Sequence, residues 1–420
     1  MSGLIKDNIF GSSGSIIAAA GGLSWQPVVT ASTVTVSSGK GYFINTTSNA
    51  CTITLPSSAE AGDQIILTDY ARTWGTNAIT IDSNGLLFQG ETDAFIVDYD
   101  TAGQAINLVY SGATVGWTPA SDIVSAFVPS TTKAIFGYGY TGSNQSMSNI
   151  VSGEGVIAAD VTGVGTARFD LAGTSFGGDK GIFGYGRNPS TAAFTALTNL
   201  VSNLGVIAAD VSGVGTARFQ LAACTFGDGE AIFAYGNNSG VKSMSNKIST
   251  SGVVASDVTG VGTARQHLSA TGFGDDKGIF IYGNNGGTQY QISNLVSNSG
   301  VIATDTSVSG TAKIGTAAAG YGGDKAIVGF GTATGTITST TNLISNSGVV
   351  SADVTGVGTA RHSVAAATYG GDKAVFAYGD TSDGGWSSLK NLVSNSGVVA
   401  SDVAGVGTAR ASLAATGFGS

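Results

Sequence analysis

Short apolar runs alternate with glycine-rich polar turns along the chain from Lys133 onward. After Lys277, apolar and aromatic residues fill 278–282, and further short runs follow at 293–297, 301–304 and 314–321. Runs of this length between Gly, Asn and Ser are typical of β-strands. No stretch keeps a 3.6-residue apolar period over ten residues, so helical repeats are not expected. The pattern predicts an antiparallel meander of four short strands.

This pattern occurs six times, at spacings of 47 to 50 residues. The phrase Lys-Ala-Ile-Phe-Gly-Tyr-Gly begins the first copy, and altered versions begin the others; the six start at Lys133, Lys180, Glu230, Lys277, Lys325 and Lys373. Periods of 20–50 residues are typical of solenoids, propellers and arrays. Each meander would be one propeller blade, with the alanine-rich strand innermost.

The two ends of the repeat region complement each other. The region begins with the second strand of a blade and ends, at 410–418, with a first strand that has no successor. Pairing these strands would leave no open edge, whereas an open array would need polar capping repeats, and none is visible. We therefore predict an all-β chain whose residues 126–420 form a six-bladed β-propeller closed by its C-terminal strand.

The N-terminal third has a different character. Four of the five prolines precede residue 130, and alternating apolar segments within 26–125 predict a small β-sandwich-like domain. Residues 1–25 form an expected docking arm, because an apolar start followed by Gly, Ser and Ala cannot fold alone. The arm's candidate contact residues are Leu4, Ile5, Ile9 and Phe10.

Composition excludes several classes of protein. A net charge of −9 without a basic cluster argues against a nucleic-acid partner. The longest weakly apolar run, 15–23, is too short to span a bilayer, so neither membrane insertion nor a cleaved signal peptide is expected. Cys51 and Cys224 lie in different predicted domains, which disfavours a disulfide framework.

Each repeat also carries one acidic and one basic residue eight positions apart. We predict structural ion pairs within a blade or between neighbours; an anion site at the channel mouth is the alternative. The residues are Asp160, Arg168, Asp210, Arg218, Asp257, Arg265, Asp305, Lys313, Asp353, Arg361, Asp402 and Arg410. An asparagine repeated in every copy, first at Asn149, suits a local side-chain-to-backbone bond.

Candidate catalytic groups are sparse. His267 and His362 occupy different repeat positions, and no metal-ligand cluster or Ser-His-Asp pattern is evident. No metal, no cofactor and no enzymatic activity are therefore expected. A propeller glycosidase is a minor alternative, because 382–386 faintly resembles the Asp-box of sialidases but occurs only once.

The copies differ mainly in the segment after each Gly-Tyr-Gly strand, at 140–147, 187–196, 237–243, 284–291, 332–340 and 380–388. In the predicted fold these variable segments emerge on one face. They carry Tyr140, Phe194, Tyr290 and Trp386 among amide and hydroxyl residues, a mixture suited to ligand recognition. Drift of unconstrained loops would produce the same variation, and the sequence leaves both open.

Two resemblances extend this interpretation. The order Gly-Thr-Ala-Arg, apolar strand, turn, aromatic strand, Gly-x-Gly resembles the kelch repeat, although tyrosine separates the paired glycines and most copies lack the outer tryptophan. The phrases Ser-Asn-Ala-Cys-Thr-Ile-Thr-Leu-Pro (48–56), Ala-Gly-Asp (61–63) and Leu-Val-Tyr (108–110), with the glycine-rich array, resemble structural proteins of tailed bacteriophages.

The phage resemblance implies a virion-surface fibre or adhesin made in the host cytoplasm. It implies an N-terminal anchor to other virion proteins, a β linker domain and a distal module that binds a host-surface glycan or protein, commonly as a homotrimer. The rival interpretation is a capsid or neck decoration, or a head fibre, with a purely structural role.

Overall fold

A computed structural model describes residues 23–91, 97–121, 132–188 and 193–419. Within these ranges the secondary structure is all β, without a helix. The chain divides into two compact units, Met1–Pro129 (unit 1) and Ser130–Ser420 (unit 2).

Unit 1 holds two sheets around one core. Its strands are β1 (Ser24–Trp25), β2 (Thr33–Thr35), β3 (Lys40–Ile44), β4 (Cys51–Thr54), β5 (Gln64–Asp69), β6 (Ile79–Asp82), β7 (Val97–Tyr99), β8 (Ala105–Tyr110) and β9 (Trp117–Ser121). The sheet orders are β1-β3-β5-β8-β9 and β2-β4-β6-β7. Because the first six strands alternate between the sheets, their pairs are parallel. Trp74 and Trp117 are fully buried in the shared core.

Unit 2 contains short strands in many small sheets. They are β10 (Lys133–Tyr140), β11 (Asn144–Val151), β12 (Ala172–Phe176), β13 (Lys180–Gly184), β14 (Arg187–Asn188), β15 (Ala193–Phe194), β16 (Thr198–Val201), β17 (Ala222–Phe226), β18 (Glu230–Ala234), β19 (Ser245–Ile248), β20 (Ser269–Phe273), β21 (Lys277–Ile281), β22 (Ile292–Val296), β23 (Thr306–Ser307), β24 (Ala317–Tyr321), β25 (Lys325–Gly329), β26 (Thr332–Ala333), β27 (Thr336–Ile337), β28 (Thr341–Ile344), β29 (Arg361–His362), β30 (Ala365–Tyr369), β31 (Lys373–Ala377), β32 (Asp380–Thr381), β33 (Lys390–Val393) and β34 (Ala414–Phe418).

Six of these sheets repeat one antiparallel design. Sheet 1 is β34-β10-β11, sheet 2 β12-β13-β16, sheet 3 β17-β18-β19, sheet 4 β20-β21-β22-β23, sheet 5 β24-β25-β28 and sheet 6 β30-β31-β33. In sheet 1 the C-terminal strand β34 pairs with β10, joining Phe418 to Lys133. The predicted pairing of the two chain ends is therefore present.

The alanine-rich first strands of the six sheets contact one another. β34, β12, β17, β20, β24 and β30 are neighbours in that order, and β30 again contacts β34. Their small side chains at alternate positions, such as Ala223 and Ala270, line a narrow central cavity. Alanine permits this close approach of six strands.

The predicted strand 301–304 is not a continuous strand. The corresponding segment of sheet 1 forms backbone bridges to β11 at two isolated points, Val151↔Ile157 and Ser148↔Val161. Between them the Asn149 side chain donates to the Ala158 carbonyl at 3.0 Å. A side chain therefore satisfies this carbonyl, which confirms the local role expected for the repeated asparagine.

Candidate functional site

The repeated basic side chains are fully buried between neighbouring sheets. Arg168 donates from Nε to the Tyr185 carbonyl at 2.8 Å and from Nη2 to Asn199 Oδ1 at 2.6 Å. Its guanidinium lies 4.3 Å from the centroid of the Tyr138 ring in the preceding sheet, a favourable cation–π distance.

We call the six equivalent contacts the belt: Arg168 on Tyr138, Arg218 on Tyr185, Arg265 on Tyr235, Lys313 on Tyr282, Arg361 on Phe330 and Arg410 on Tyr378. All six basic side chains belong to residues with 0% exposure. The alternative of an anion site at the channel mouth is therefore wrong.

The repeated aspartates pair with the basic side chains of the belt. Asp210 lies 3.8 Å from Arg168, about forty residues earlier, rather than beside the arginine eight positions later. Asp257 with Arg218 and Asp353 with Lys313 follow the same rule. Asp160 pairs with Arg410, because the C-terminal strand completes sheet 1. Asp305 and Asp402 likewise interact electrostatically with Arg265 and Arg361.

Hydrogen bonding determines the charge state of these carboxyl groups. Partial burial alone would raise the pKa of Asp210, but donors on Thr166 and Asn199 outweigh it and hold the pKa below its usual value. The pKa of each of the other five aspartates is also lowered by hydrogen bonds that outweigh burial, and the leading donor to Asp353 is Lys313.

On one face of unit 2, every variable segment starts beside a first strand. Tyr140 bridges to Ala411, Arg187 to Phe169, Asn237 to Phe219, Asn284 to Gln266, Thr332 to Ile314 and Asp380 to His362. The second partner in each pair directly precedes one member of a closed circle, described next. The six variable segments therefore surround this circle, and we call this side the variable-loop face.

The circle is made by backbone groups alone. Each member donates its N–H to the carbonyl of the member before it, at 2.8–3.1 Å, and the sixth bond returns to the start. The members are Asp170, Gln220, His267, Gly315, Ser363 and Ser412, here called the axial ring. All six have positive φ, between 50° and 61°, so the repeat imposes a left-handed conformation that is uncommon for residues other than glycine.

The side chains of the axial ring differ except at Ser363 and Ser412, and with their apolar neighbours they line a cavity of about 80 Å³. Asp170 accepts from Gln220 at 3.1 Å and pairs with Arg187 at 3.0 Å. Burial lowers the pKa of His267, although the charge of Asp170 and a contact with Asn284 oppose this shift. His267 is therefore neutral at pH 7.

Aromatic groups cover one half of the face. The Trp386 ring meets the Tyr140 ring edge-on at 6.0 Å, and Tyr140 lies 4.9 Å from Phe169. Arg187 lies between Phe169 and Phe219, with its guanidinium 4.4 and 4.8 Å from their centroids. Phe219 stacks on Phe194 at 4.8 Å. We call this row of six side chains the ladder.

The ladder unites three of the four predicted ligand residues, Tyr140, Phe194 and Trp386. Tyr290 is partly buried beside Arg265 and has no ring contact within the described residues. The sequence interpretation missed Phe169, Arg187 and Phe219. Their signal was present, because Phe169 and Phe219 occupy the position before the axial ring, which differs between copies.

We call the part of the face formed by sheets 4 to 6 the polar half, although its sheet 6 also carries Trp386, which bridges to Asp380. His362 Nδ1 lies 3.0 Å from Ser363 Oγ, while its Nε2 lies 3.8 Å from Asp380. Burial raises the pKa of Asp380, which the charge of His362 opposes. This trio lacks the orienting hydrogen bond of a nucleophilic triad, because 3.8 Å is too long for one.

The other end of the central channel has little chemical variety. Its mouth, about 250 Å³, is lined mainly by Gly, Ala, Ser and Thr. Lysines at this end pair with the preceding aspartate, for example Lys277 with Asp276 at 2.8 Å. Backbone hydrogen bonds between successive turns again form a closed circle of six, starting with Gly177 N–H to the Gly229 carbonyl.

Several expectations meet the limits of the described residues. The docking residues Leu4, Ile5, Ile9 and Phe10 lie outside them. Across the described ranges, no group of three His, Cys, Asp or Glu side chains is placed to hold a metal ion. No helix found there is long and apolar enough to cross a membrane.

Comparison with known proteins adds no assignment. No protein-family model matches the chain, and no curated protein matches it. Any function must therefore be argued from the residues and their geometry.

Proposed function

We propose that unit 2 is a six-bladed, kelch-like β-propeller that binds a receptor on host cells through the variable-loop face. The cyclic contacts of the six first strands and the pairing of β34 with β10 support the propeller. The phage-like phrases of unit 1 support the wider proposal, a virion-surface protein of a tailed bacteriophage with fibre or adhesin function.

One observation carries the binding proposal. The six segments in which the repeats differ surround an axial ring whose side chains also differ. The ladder beside this ring exposes Trp386, which is 42% accessible. Variable, chemically rich loops on a rigid scaffold are the usual design of recognition proteins. Drift explains variation alone, but it does not explain a ladder built by four sheets.

The experiment is binding of the labelled full chain to a panel of bacterial strains. We expect saturable binding to some strains, and at least tenfold weaker binding by the variant Trp386→Ala, which loses the exposed end of the ladder. Val253→Ala, on an outer sheet edge, is the matched control and should bind normally. A folded chain that binds no strain would contradict the receptor proposal.

A different observation favours the rival function, capsid or neck decoration or a head fibre. The outer edge of every sheet carries a valine that is 60–66% accessible: Val156, Val206, Val253, Val301, Val349 and Val398. Apolar residues repeated on a surface suit packing against other virion proteins. If decoration is the function, Val→Ser changes on several edges will prevent incorporation into virions, while Trp386→Ala will not.

The proposed partners are other virion proteins, through residues 1–25, and a host-surface glycan or protein. A homotrimer in solution is the expected assembly. Light scattering of the full chain would give about three times the 41.6 kDa chain mass; a monomer mass would contradict it. No enzymatic activity is proposed.

A further inference from the structure

We propose that the receptor is a neutral saccharide, which stacks on the exposed end of the ladder and extends its hydroxyl groups toward the polar half of the face. This inference rests on the proposed receptor function and specifies the chemical class and the place of binding. A sugar ring suits such a site because it has an apolar C–H face and a rim of hydroxyls.

The stacking end of the ladder is held in place before any ligand arrives. The Trp386 indole leans over Gly142 so closely that a β-carbon there would lie 3.1 Å from Cη2. Backbone bonds from Thr381 N–H to the Gly385 carbonyl and from Ser387 N–H to the Gly379 carbonyl, at 2.9 and 2.8 Å, hold its loop. A side chain fixed in this way loses little conformational entropy on binding.

The centre of the ladder is a stacked cation without free charge. Arg187 is held between Phe169 and Phe219, and Asp170 neutralises it at 3.0 Å. The guanidinium plane therefore extends the aromatic surface instead of forming an anion site. Breaking this pair to bind an acidic sugar would leave Asp170 beside the incoming negative charge.

The face also offers hydrogen-bonding atoms that are not fully bonded within the protein. Asn144 Oδ1, beside the ladder, is buried and accepts no hydrogen bond within the described residues. The buried His267 Nδ1 and Asn284 Oδ1 make no bond of good geometry there, although their side chains interact with each other. All three residues belong to the variable segments or the axial ring, and only 8% of Asn284 is exposed. Buried polar atoms in native proteins usually have a partner, and ligand hydroxyls can supply one.

The remaining charges on the axial ring also favour a neutral ligand. His267 is uncharged at pH 7 because burial lowers its pKa. Asp170, the one acidic member of the ring, pairs with Arg187 at 3.0 Å.

The size of the axial cavity determines how the ligand lies. Its volume of about 80 Å³ is far below the roughly 300 Å³ at which ligand pockets usually start. A sugar ring is therefore expected to lie across the face against Trp386, with only hydroxyl groups reaching the axial ring.

Fluorine NMR tests this directly, because Trp386 is the one tryptophan in 130–420. The full chain labelled with 5-fluorotryptophan gives one resonance for each of its four tryptophans. The resonance that is missing from Trp386→Phe belongs to Trp386. The probes are extracted bacterial surface polysaccharides, one set neutral and one set rich in uronic or sialic acid. We expect a neutral polysaccharide to shift the Trp386 resonance and leave Trp74 and Trp117 unchanged.

Variants locate the contact. Trp386→Ala should weaken neutral-polysaccharide binding at least tenfold, and Asn284→Ala severalfold; Val253→Ala should not weaken it. A chain that binds cells without any polysaccharide shifting Trp386 overturns the saccharide inference but leaves the receptor function. Selective binding of the acidic polysaccharides overturns the inference that the ligand is neutral. A chain that binds neither cells nor any of the polysaccharides overturns the inference together with the proposed function.

Discussion

The belt and the variable-loop face of unit 2 use neighbouring positions of one repeat, yet they differ in how freely their side chains change. The belt position is Arg in five copies and Lys in one, whereas the axial ring, two residues later, holds Asp, Gln, His, Gly, Ser and Ser. The belt works through side chains that stack and donate. The axial ring closes through backbone bonds, so its side chains can vary without opening the circle.

The belt itself contains a smaller contrast of the same kind. Lys313 donates to Asn342 at 2.7 Å and to Asp353 at 2.8 Å, whereas Arg168, Arg218 and Arg410 approach their aspartates only to 3.8–3.9 Å. Arg361 stacks on Phe330 instead of a tyrosine, and its Nε has no partner within the described residues. Both irregular contacts flank sheet 5, which is therefore the least regular part of the belt.

The largest effect is expected from ending the chain at Arg410. This change removes β34, exposes the edge of β10 and breaks both circles of backbone bonds. Unpaired strand edges favour aggregation. We expect loss of the cooperative unfolding transition of unit 2 and a high-mass species by size-exclusion chromatography; a soluble, cooperatively folding product would contradict closure through β34.

Removing one belt partner should come next. Asn246→Ala leaves the fully buried Arg218 without its 2.7 Å acceptor, and losing a hydrogen bond to a charged group costs about 1.5–3 kcal/mol. The free energy of unfolding in urea measures this loss. The control is Gln220→Ala in the axial ring, expected to cost less than about 1 kcal/mol. Equal losses would show that belt and ring side chains are not distinct.

Lowering the pH should reduce the stability that the aspartates contribute through the belt. Because the folded pKa values of the six aspartates are lowered, the stability they contribute is present above the unfolded pKa near 4 and is lost as pH falls below it. Unfolding midpoints between pH 6 and pH 2.5 measure this. Asp257→Asn should be less stable at pH 6 but depend less on pH. A wild-type midpoint that is constant from pH 5 to pH 3 would contradict the assignment.

The smallest effect should come from making the belt more regular. Tyr138, Tyr185, Tyr235 and Tyr378 each donate a hydroxyl to a valine carbonyl of the next sheet at 3.0–3.2 Å. Phe330→Tyr can add the equivalent bond and should stabilise unit 2 by about 1 kcal/mol or less. Tyr185→Phe, which removes such a bond, should lower stability by a similar amount. Destabilisation by Phe330→Tyr together with stabilisation by Tyr185→Phe would argue against this role of the hydroxyl groups.

Sequence pattern predicted the features that repeat. Six copies, short strands, an alanine-rich inner strand and the asparagine's local bond all follow from periodicity and residue type. Spacing did not predict that Asp210 meets Arg168, because the pair is joined by strand order rather than by nearness along the chain. The ladder was missed for the same reason: Phe169, Arg187 and Phe219 meet across sheets.

Unit 1 shows another limit of pattern reading. Alternation with a period of two predicts a strand with one buried face, and Ile53 and Ile65 are buried as expected. The period does not say that β3 pairs with β5 while β4 pairs with β6, in parallel. Register and partner depend on how turns carry the chain between the two sheets.

Hydrogen exchange measured by mass spectrometry would test the contrast between belt and face most directly. The full chain would be compared alone and with a polysaccharide that it binds. We predict slow exchange in both states at β13, β18 and the equivalent strands of the other sheets, which lead to the aromatic residues of the belt. We predict new protection only in the variable segments, above all 380–388 and 140–147. Protection at the outer valine edges, with unchanged variable segments, would contradict a binding role for the face.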